Sequence, residues 1–248
     1  MKLSSSRRKG VMPLQNFKYM EPKALKDACA LLKRYEGAKV LAGGTALIYQ
    51  VRRRLISPSH IVNLKSVAGL DYIEYDARKG LRIGALTRLR SIEKSPLIRE
   101  KYPWLADCVN KMGSVQMRNT ATVGGNLCHG EPAADLPPLL ITLDARVRLM
   151  GVGGERTVRL ENFYRDFYET ALRKGEILYE VQVPRIPDST GSTYLKYNPR
   201  SAMDMSVVGV AAMIRLGERD SVCQDVRIAL AGAAPTVIRA REAEDLLK

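Results

Sequence analysis

Apolar positions recur along the chain at helical and strand spacings, and glycines and prolines mark where one pattern gives way to the next. Phe17-Lys18-Tyr19 predicts a short first strand. Pro22 opens a helix over 23–35, with Ala24, Leu25, Ala28, Leu31 and Leu32 along one face. Gly37 ends it, where a left-handed residue belongs. Lys39-Val40-Leu41 predicts a strand, Ala42-Gly43-Gly44-Thr45 a tight turn, and 46–53 the following helix. Ser57-Pro58 marks a loop before a buried strand, Ile61-Val62-Asn63-Leu64; His60 in that loop has a structural role.

Residues 72–75 and 81–84 predict a hairpin around 76–80. Thr87 caps a helix that starts near Leu89, Pro96 breaks that pattern, and Pro103-Trp104 begins a helix over 105–111. Strand-like sequence does not continue through 113–126, a glycine-rich loop. Asp135 stands where an N-cap belongs, before Pro137-Pro138 and an apolar helix over 139–143. Strands at 147–150 and 157–160 flank Gly151-Val152-Gly153-Gly154, a hairpin turn because no helix follows it. The aromatic-rich stretch 163–172 predicts a helix, and 176–184 alternates as a strand does. Pro184, Pro187 and Gly191 form a linker-like break and candidate domain boundary. Beyond it, 193–197, 206–216 and 221–231 predict an antiparallel meander with a turn at 217–220, and a helix starts at Arg239.

Composition narrows the function. At 248 residues, 46% apolar and 27% charged, the chain is an ordinary globular protein of one or two domains. The longest apolar run, 207–214, is too short to span a bilayer, so no transmembrane segment is expected. Residues 1–10 lack the apolar core of a secretory signal and predict a frayed tail. Cys29, Cys108, Cys128 and Cys223 form no CxxC pair, which disfavours a zinc ribbon or an iron–sulfur cluster. With two histidines, a histidine-rich metal site is excluded. The cysteine pattern suits a reducing compartment. A net charge of +14 admits nucleic acid, an anionic ligand or an acidic partner. Arg52-Arg53-Arg54 has only Tyr49 near it and no repeated aromatic platform, so a solvated helix end outweighs RNA binding.

Candidate chemistry rests on two glycine pairs. Strand, Gly43-Gly44 turn and helix is an arrangement that points free backbone N–H groups at an anion. It lacks the G-x-G-x-x-G spacing and the Gly-Lys-Ser/Thr ending, so neither a Rossmann nor a Walker assignment follows. Alone it is a weak signal, and a plain strand–helix turn is the better reading. A second pair, Gly124-Gly125, sits between Thr122 and Asn126. Both loops are expected to meet over one phosphorylated cofactor, because glycines admit several N–H groups without a Cβ in the way.

Gln116-Met117-Arg118-Asn119-Thr120-Ala121-Thr122-Val123-Gly124-Gly125-Asn126-Leu127, followed by Pro132 and Asp135, resembles the second flavin loop of the FAD-binding medium subunits of molybdenum hydroxylases. That family includes xanthine dehydrogenase and aerobic carbon monoxide dehydrogenase. Ala42-Gly43-Gly44-Thr45 resembles its pyrophosphate loop, and Gly175-Glu176-Ile177-Leu178 its segment before the domain boundary. The resemblance runs from about Phe17 to the C-terminus. It implies an α+β chain: a two-subdomain FAD-binding fold of the vanillyl-alcohol oxidase type, then a C-terminal antiparallel sheet-plus-helix domain. The implied domains are 13–187, split near 56–60, and 192–248, with the family's last helices lying beyond Lys248.

The resemblance implies FAD between the subdomains. Val40, Leu41, Ala42, Gly43, Gly44, Thr45, Ala46 and Leu47 would wrap its pyrophosphate. Thr122, Gly124, Gly125 and Asn126 would contact the pyrophosphate and ribityl chain, with Asp135 an acidic cofactor contact. Leu178 would be an apolar contact near the adenine or ring, and Met112 and Gly113 would line the same cleft. Lys196 would stabilise the anionic reduced flavin; its alternative is an exposed lysine on a strand face. No catalytic side chain and no metal ligand is implied. His129-Gly130-Glu131-Pro132 looks closer to the carbon monoxide dehydrogenase type, and no cysteine-rich insertion is present.

The implied role is the FAD-carrying electron-transfer subunit of a cytoplasmic molybdenum hydroxylase. Its partners would be a molybdenum-cofactor large subunit and a small 2Fe–2S subunit, assembled as a dimer of heterotrimers. The acceptor would be NAD, oxygen or a quinone. Alternatives are a self-sufficient FAD-dependent oxidoreductase and a basic nucleic-acid-binding module.

Overall fold

The computed structural model describes residues 16–201, 204–217 and 222–247. The expected tail over 1–10 and the 218–220 part of the expected turn lie outside the described residues.

The chain begins with β1 (Lys18–Met20), α1 (Leu25–Arg34), β2 (Lys39–Leu41), α2 (Thr45–Arg52) and β3 (His60–Asn63). These strands form a parallel sheet in the order β1-β3-β2. Parallel pairing needs a crossover, and α1 and α2 supply it. His60 stacks on Tyr35, with ring centroids 4.0 Å apart, and its Nδ1 lies 3.0 Å from Ser59 Oγ. Both contacts are structural.

Next come β4 (Ile73–Asp76), β5 (Gly80–Gly84) and six helices: α3 (Leu89–Lys94), α4 (Pro96–Lys101), α5 (Pro103–Asn110), α6 (Val115–Arg118), α7 (Val123–His129) and α8 (Leu136–Thr142). Pro96 breaks the pattern as expected: α3 stops at Lys94, with Ser95 extended before the proline, and Pro96 then opens α4, because the first helical position needs no N–H. The Ser95 hydroxyl caps it by accepting from Ile98 N at 3.3 Å. Two expectations change here. Thr87 caps nothing; its hydroxyl exchanges hydrogen bonds with Tyr72 N (3.1 Å) and Tyr72 O (2.9 Å), and Arg88 takes the N-cap position. The stretch 113–126 is not an open loop. It contains α6, and Gly124-Gly125 lies in the first turn of α7.

The chain continues through β6 (Arg146–Gly151), β7 (Gly154–Arg159), β8 (Tyr164–Asp166), β9 (Glu169–Thr170) and β10 (Ile177–Val183). An antiparallel sheet of order β4-β5-β10-β6-β7 results. The helix expected over 163–172 is instead the small hairpin β8–β9. Tyr168 has φ +56, and Asp166 Oδ1 accepts from Phe167 N, which makes a turn. Phe163 is buried, whereas Phe167 and Tyr168 are exposed, so the aromatics do not share one buried face.

Last come β11 (Thr190–Tyr197), β12 (Val208–Leu216), β13 (Cys223–Ala231), β14 (Ile238–Arg239) and α9 (Arg241–Leu246). The strands pair antiparallel in that order, as the meander predicted. Every residue of α8 is buried, because α8 packs against β12 and β13 on one side and α5 and α7 on the other. One continuous core runs from Leu81 and Val183 through Leu139 to Ala211 and Ala229. A smaller core of Ala28, Cys29, Val62, Leu64, Val67, Leu70 and Ile177 underlies the first sheet.

Candidate functional site

The two glycine pairs meet in space. A Cβ on Gly43 would lie 2.3 Å from Thr120 O and 2.9 Å from Ala121 Cα. Backbone packs on backbone there, so only glycine fits. On the other side, a Cβ on Gly125 would lie 3.6 Å from the Ala42 Cβ.

The loops offer different chemistry. Gly44, with φ +86, is the N-cap of α2 and brings no side chain to the helix end. The amides of Thr45, Ala46 and Leu47 bond to no described residue. Three free N–H groups at a helix start form an anion-binding end. In α7, by contrast, the first four amides are taken. Val123 N donates to Thr87 O (3.0 Å), Gly124 N to Ala85 O (2.9 Å), Gly125 N to Thr122 Oγ1 (3.2 Å) and Asn126 N to Thr122 O (2.9 Å). What remains at α7 is the Asn126 side chain, whose Oδ1 is buried and accepts no hydrogen bond, while Gly124 packs directly on Ala85.

A pyrophosphate-bearing cofactor fits these residues. Unpaired amides on α2 call for an anion, and the orphaned buried carbonyl oxygen of Asn126 calls for a donor such as a ligand hydroxyl. Val40 and Leu41 are half-buried on β2 below this end.

Met112 and Gly113 are tied down from behind. Both carbonyls accept from Arg118 Nη1, at 2.7 and 3.0 Å, while Arg118 Nε donates to Glu93 Oε2 at 2.8 Å. Arg118 and Glu93 are buried, and Arg90 adds a second cation to Glu93 at 2.6 Å. Arg90 and Arg118 hold the Glu93 carboxyl below its usual range against the upward push of burial. Sequence reasoning missed this network; Arg118 inside the quoted motif was the available signal.

Asp135 and Lys196 come together, although they belong to α8 and β11. Lys196 Nζ lies 3.4 Å from Asp135 Oδ2 and 3.3 Å from Asp204 O, and its side chain is 8% exposed. The exposed-lysine alternative is therefore wrong. Tyr194, one strand pleat away, donates its hydroxyl to Asp135 Oδ1 at 2.6 Å. Asp135 holds the N-cap position without capping: its backbone is αR, not extended, and its carboxylate makes no cap bond. Leu178 packs into the main core. His129 lies against Tyr168 with centroids 5.2 Å apart, and burial lowers its pKa below 6.5.

Comparison with known proteins places the chain in a family. The family described as the FAD binding domain in molybdopterin dehydrogenase matches residues 15–186, and the carbon monoxide dehydrogenase flavoprotein C-terminal domain matches 193–248. The chain is 34% identical over 236 residues to the nicotine 6-hydroxylase medium subunit of Paenarthrobacter nicotinovorans, covering 95% of this chain and 81% of that one. It is 33% identical over 227 residues to the xanthine dehydrogenase FAD-binding subunit of Escherichia coli O157:H7, covering 91% and 77%. Its fold superimposes on a chain of carbon monoxide dehydrogenase from Hydrogenophaga pseudoflava with a TM-score of 0.91 at 33% identity, covering 95% and 81%. The expected mixed helix-and-sheet fold with a C-terminal antiparallel sheet is thus the family's own. With two meeting glycine turns and these relatives, the chain belongs to the FAD-binding medium subunits of the molybdenum hydroxylases, of carbon monoxide and xanthine dehydrogenase type, and is an oxidoreductase subunit.

Proposed function

We propose that this chain is the electron-transfer station of a hetero-oligomeric molybdenum hydroxylase. It stands between iron–sulfur clusters on a small 2Fe–2S subunit and an external acceptor, NAD, oxygen or a quinone. A molybdenum-cofactor large subunit lies upstream and carries the substrate specificity. The assembly is a cytoplasmic dimer of heterotrimers; four free thiols suit that compartment. The observation that carries the reading is the junction of Gly43 with Thr120 and Ala121, beside three unpaired amides of α2.

When bound, FAD supplies the redox chemistry, and the protein supplies position and electrostatics. In this reading the amides of Thr45, Ala46 and Leu47 hold the pyrophosphate. Gly43, Gly44, Gly124 and Gly125 would line its approach, Gly43 and Gly124 by letting the loops pack on Thr120 and Ala85, with Val40, Leu41 and Ala42 behind it. The Asn126 side chain takes a polar cofactor atom, and Thr122 keeps α7 capped beside it. Lys196, paired to Asp135, would supply a cation to the cofactor, which would favour an anionic reduced form. Met112, Gly113 and Leu178 form the framework. We place the FAD-binding domain at 13–187, with a subdomain split near 56–60, and the C-terminal domain at 192–248. The prolines at 184 and 187 and the gap between the two family matches support that division.

The test is reconstitution with molybdenum and iron–sulfur subunits encoded beside this chain. The FAD-loaded chain should restore substrate-driven reduction of an acceptor, and without partners it should turn over no organic substrate. Turnover by the isolated chain would overturn the relay role.

A further inference from the structure

A cavity of about 190 Å³ lies away from the glycine junction. It sits between the C-terminal end of α8, the 184–187 linker and the adjoining ends of β11, β12 and β13. Its charged lining is not self-neutralising. Arg227 Nη2 lies 2.9 Å from Asp225 Oδ2, and Arg227 Nη1 donates to Thr142 O at 3.4 Å, so those two charges are paired. Asp144 faces Arg159 at 4.0 Å, and Arg185 faces Asp188 at 3.7 Å. Arg215 has no carboxylate partner among the described residues, and its buried Nε makes no hydrogen bond. Thr190 stands opposite Arg215 in the β11–β12 register, and its Oγ1 is also buried without a partner. Two orphaned polar groups thus share one end of one sheet face, beside a cavity that both line.

A buried guanidinium N–H left unpaired costs more than an ordinary lost hydrogen bond. Planar Arg donors match the oxygens of phosphate and carboxylate. A water occupies about 30 Å³ of liquid, so this space exceeds a single water and admits a small oxyanion. We propose that the cavity is a binding site for a small oxyanion, phosphate or carboxylate, held by the Arg215 guanidinium and the Thr190 hydroxyl. Both ligands stand on the C-terminal sheet, and Arg185 and the end of α8 form the opposite wall, so the bound anion sits where the two parts of the chain adjoin, away from the glycine junction.

The experiment uses the FAD-loaded chain, so that the glycine junction is filled. Its melting temperature is followed against inorganic phosphate, against acetate and against potassium chloride at matched ionic strength. At ten times its dissociation constant the bound anion raises the melting temperature by about 3–6 °C, and the effective salt identifies phosphate or carboxylate as the source. Arg215→Met and Thr190→Val each abolish that shift while keeping full FAD content. Arg215→Met melts no lower than the parent in anion-free buffer, because it removes an unpaired donor. Equal shifts with potassium chloride, no shift with either oxyanion, or a shift that persists in Arg215→Met would overturn the proposal.

Discussion

Asp135 shows how a buried residue is claimed by the partner it can reach. Its αR backbone keeps the carboxylate from the α8 amides, so it turns instead to Tyr194 and Lys196 on the neighbouring sheet. Burial, then the Asp135 charge, drives the Tyr194 phenol well above its ordinary range, so it stays a donor. Removing one partner of a buried pair leaves an uncompensated charge. Lys196→Met should cost on the order of 3 kcal/mol in urea unfolding, and the Asp135→Asn/Lys196→Met double variant should recover most of it. Equal losses in both variants would show that the pair is not coupled. His129 gives the pH counterpart. Burial lowers its folded pKa, so the unfolded chain binds the proton more readily below pH 6.5. Its stabilising contribution is complete above 6.5 and is lost as pH falls toward the folded pKa. His129→Gln should flatten the stability–pH profile in that acidic window; a profile as steep as the parent's would assign the slope elsewhere.

Among the elements, the glycine junction is where packing decides the design. Gly43→Ala would drive a methyl into Thr120 O, and backbone cannot turn aside as a side chain can. The two loops must part, so bound flavin should fall at least tenfold while far-UV circular dichroism is kept; full flavin occupancy would show that the junction gives. Gly44→Ala keeps the loops together; it meets the cost of φ +86, about 1–2 kcal/mol, and a 3.0 Å contact with the Leu41 side chain, which can move aside. Both glycine turns were legible because glycine in such settings carries conformational meaning. Which turn donates amides was not, since Ala85 and Thr87, which take two of the four α7 amides, lie far away in sequence. The same limit hid the β8–β9 hairpin: Phe163, Tyr164, Phe167 and Tyr168 mimic a helical stripe, and only the positive φ of Tyr168 breaks it. An alternating strand with one buried face, such as β12, was legible because tertiary contacts only reinforce its period.

At the scale of the molecule, the two cores differ in reach. The main core joins the five-stranded sheet, α3 to α8 and the inner face of the C-terminal sheet, so those parts share one packed interior. The first sheet rests on a small separate cluster and meets the rest chiefly through α1 against β6 and through the glycine junction. Regions with few buried contacts open below the global unfolding free energy. Amides of β1, β2 and β3 should therefore exchange with deuterium faster than those of β10 in the flavin-free chain. A cofactor spanning the junction touches both bodies and disfavours the opened state by its binding free energy. Adding FAD should slow exchange in β2 and β3 by at least tenfold, while β10, already limited by global unfolding, changes less. Equal exchange in both sheets without FAD would mean that the small core opens only with the large one.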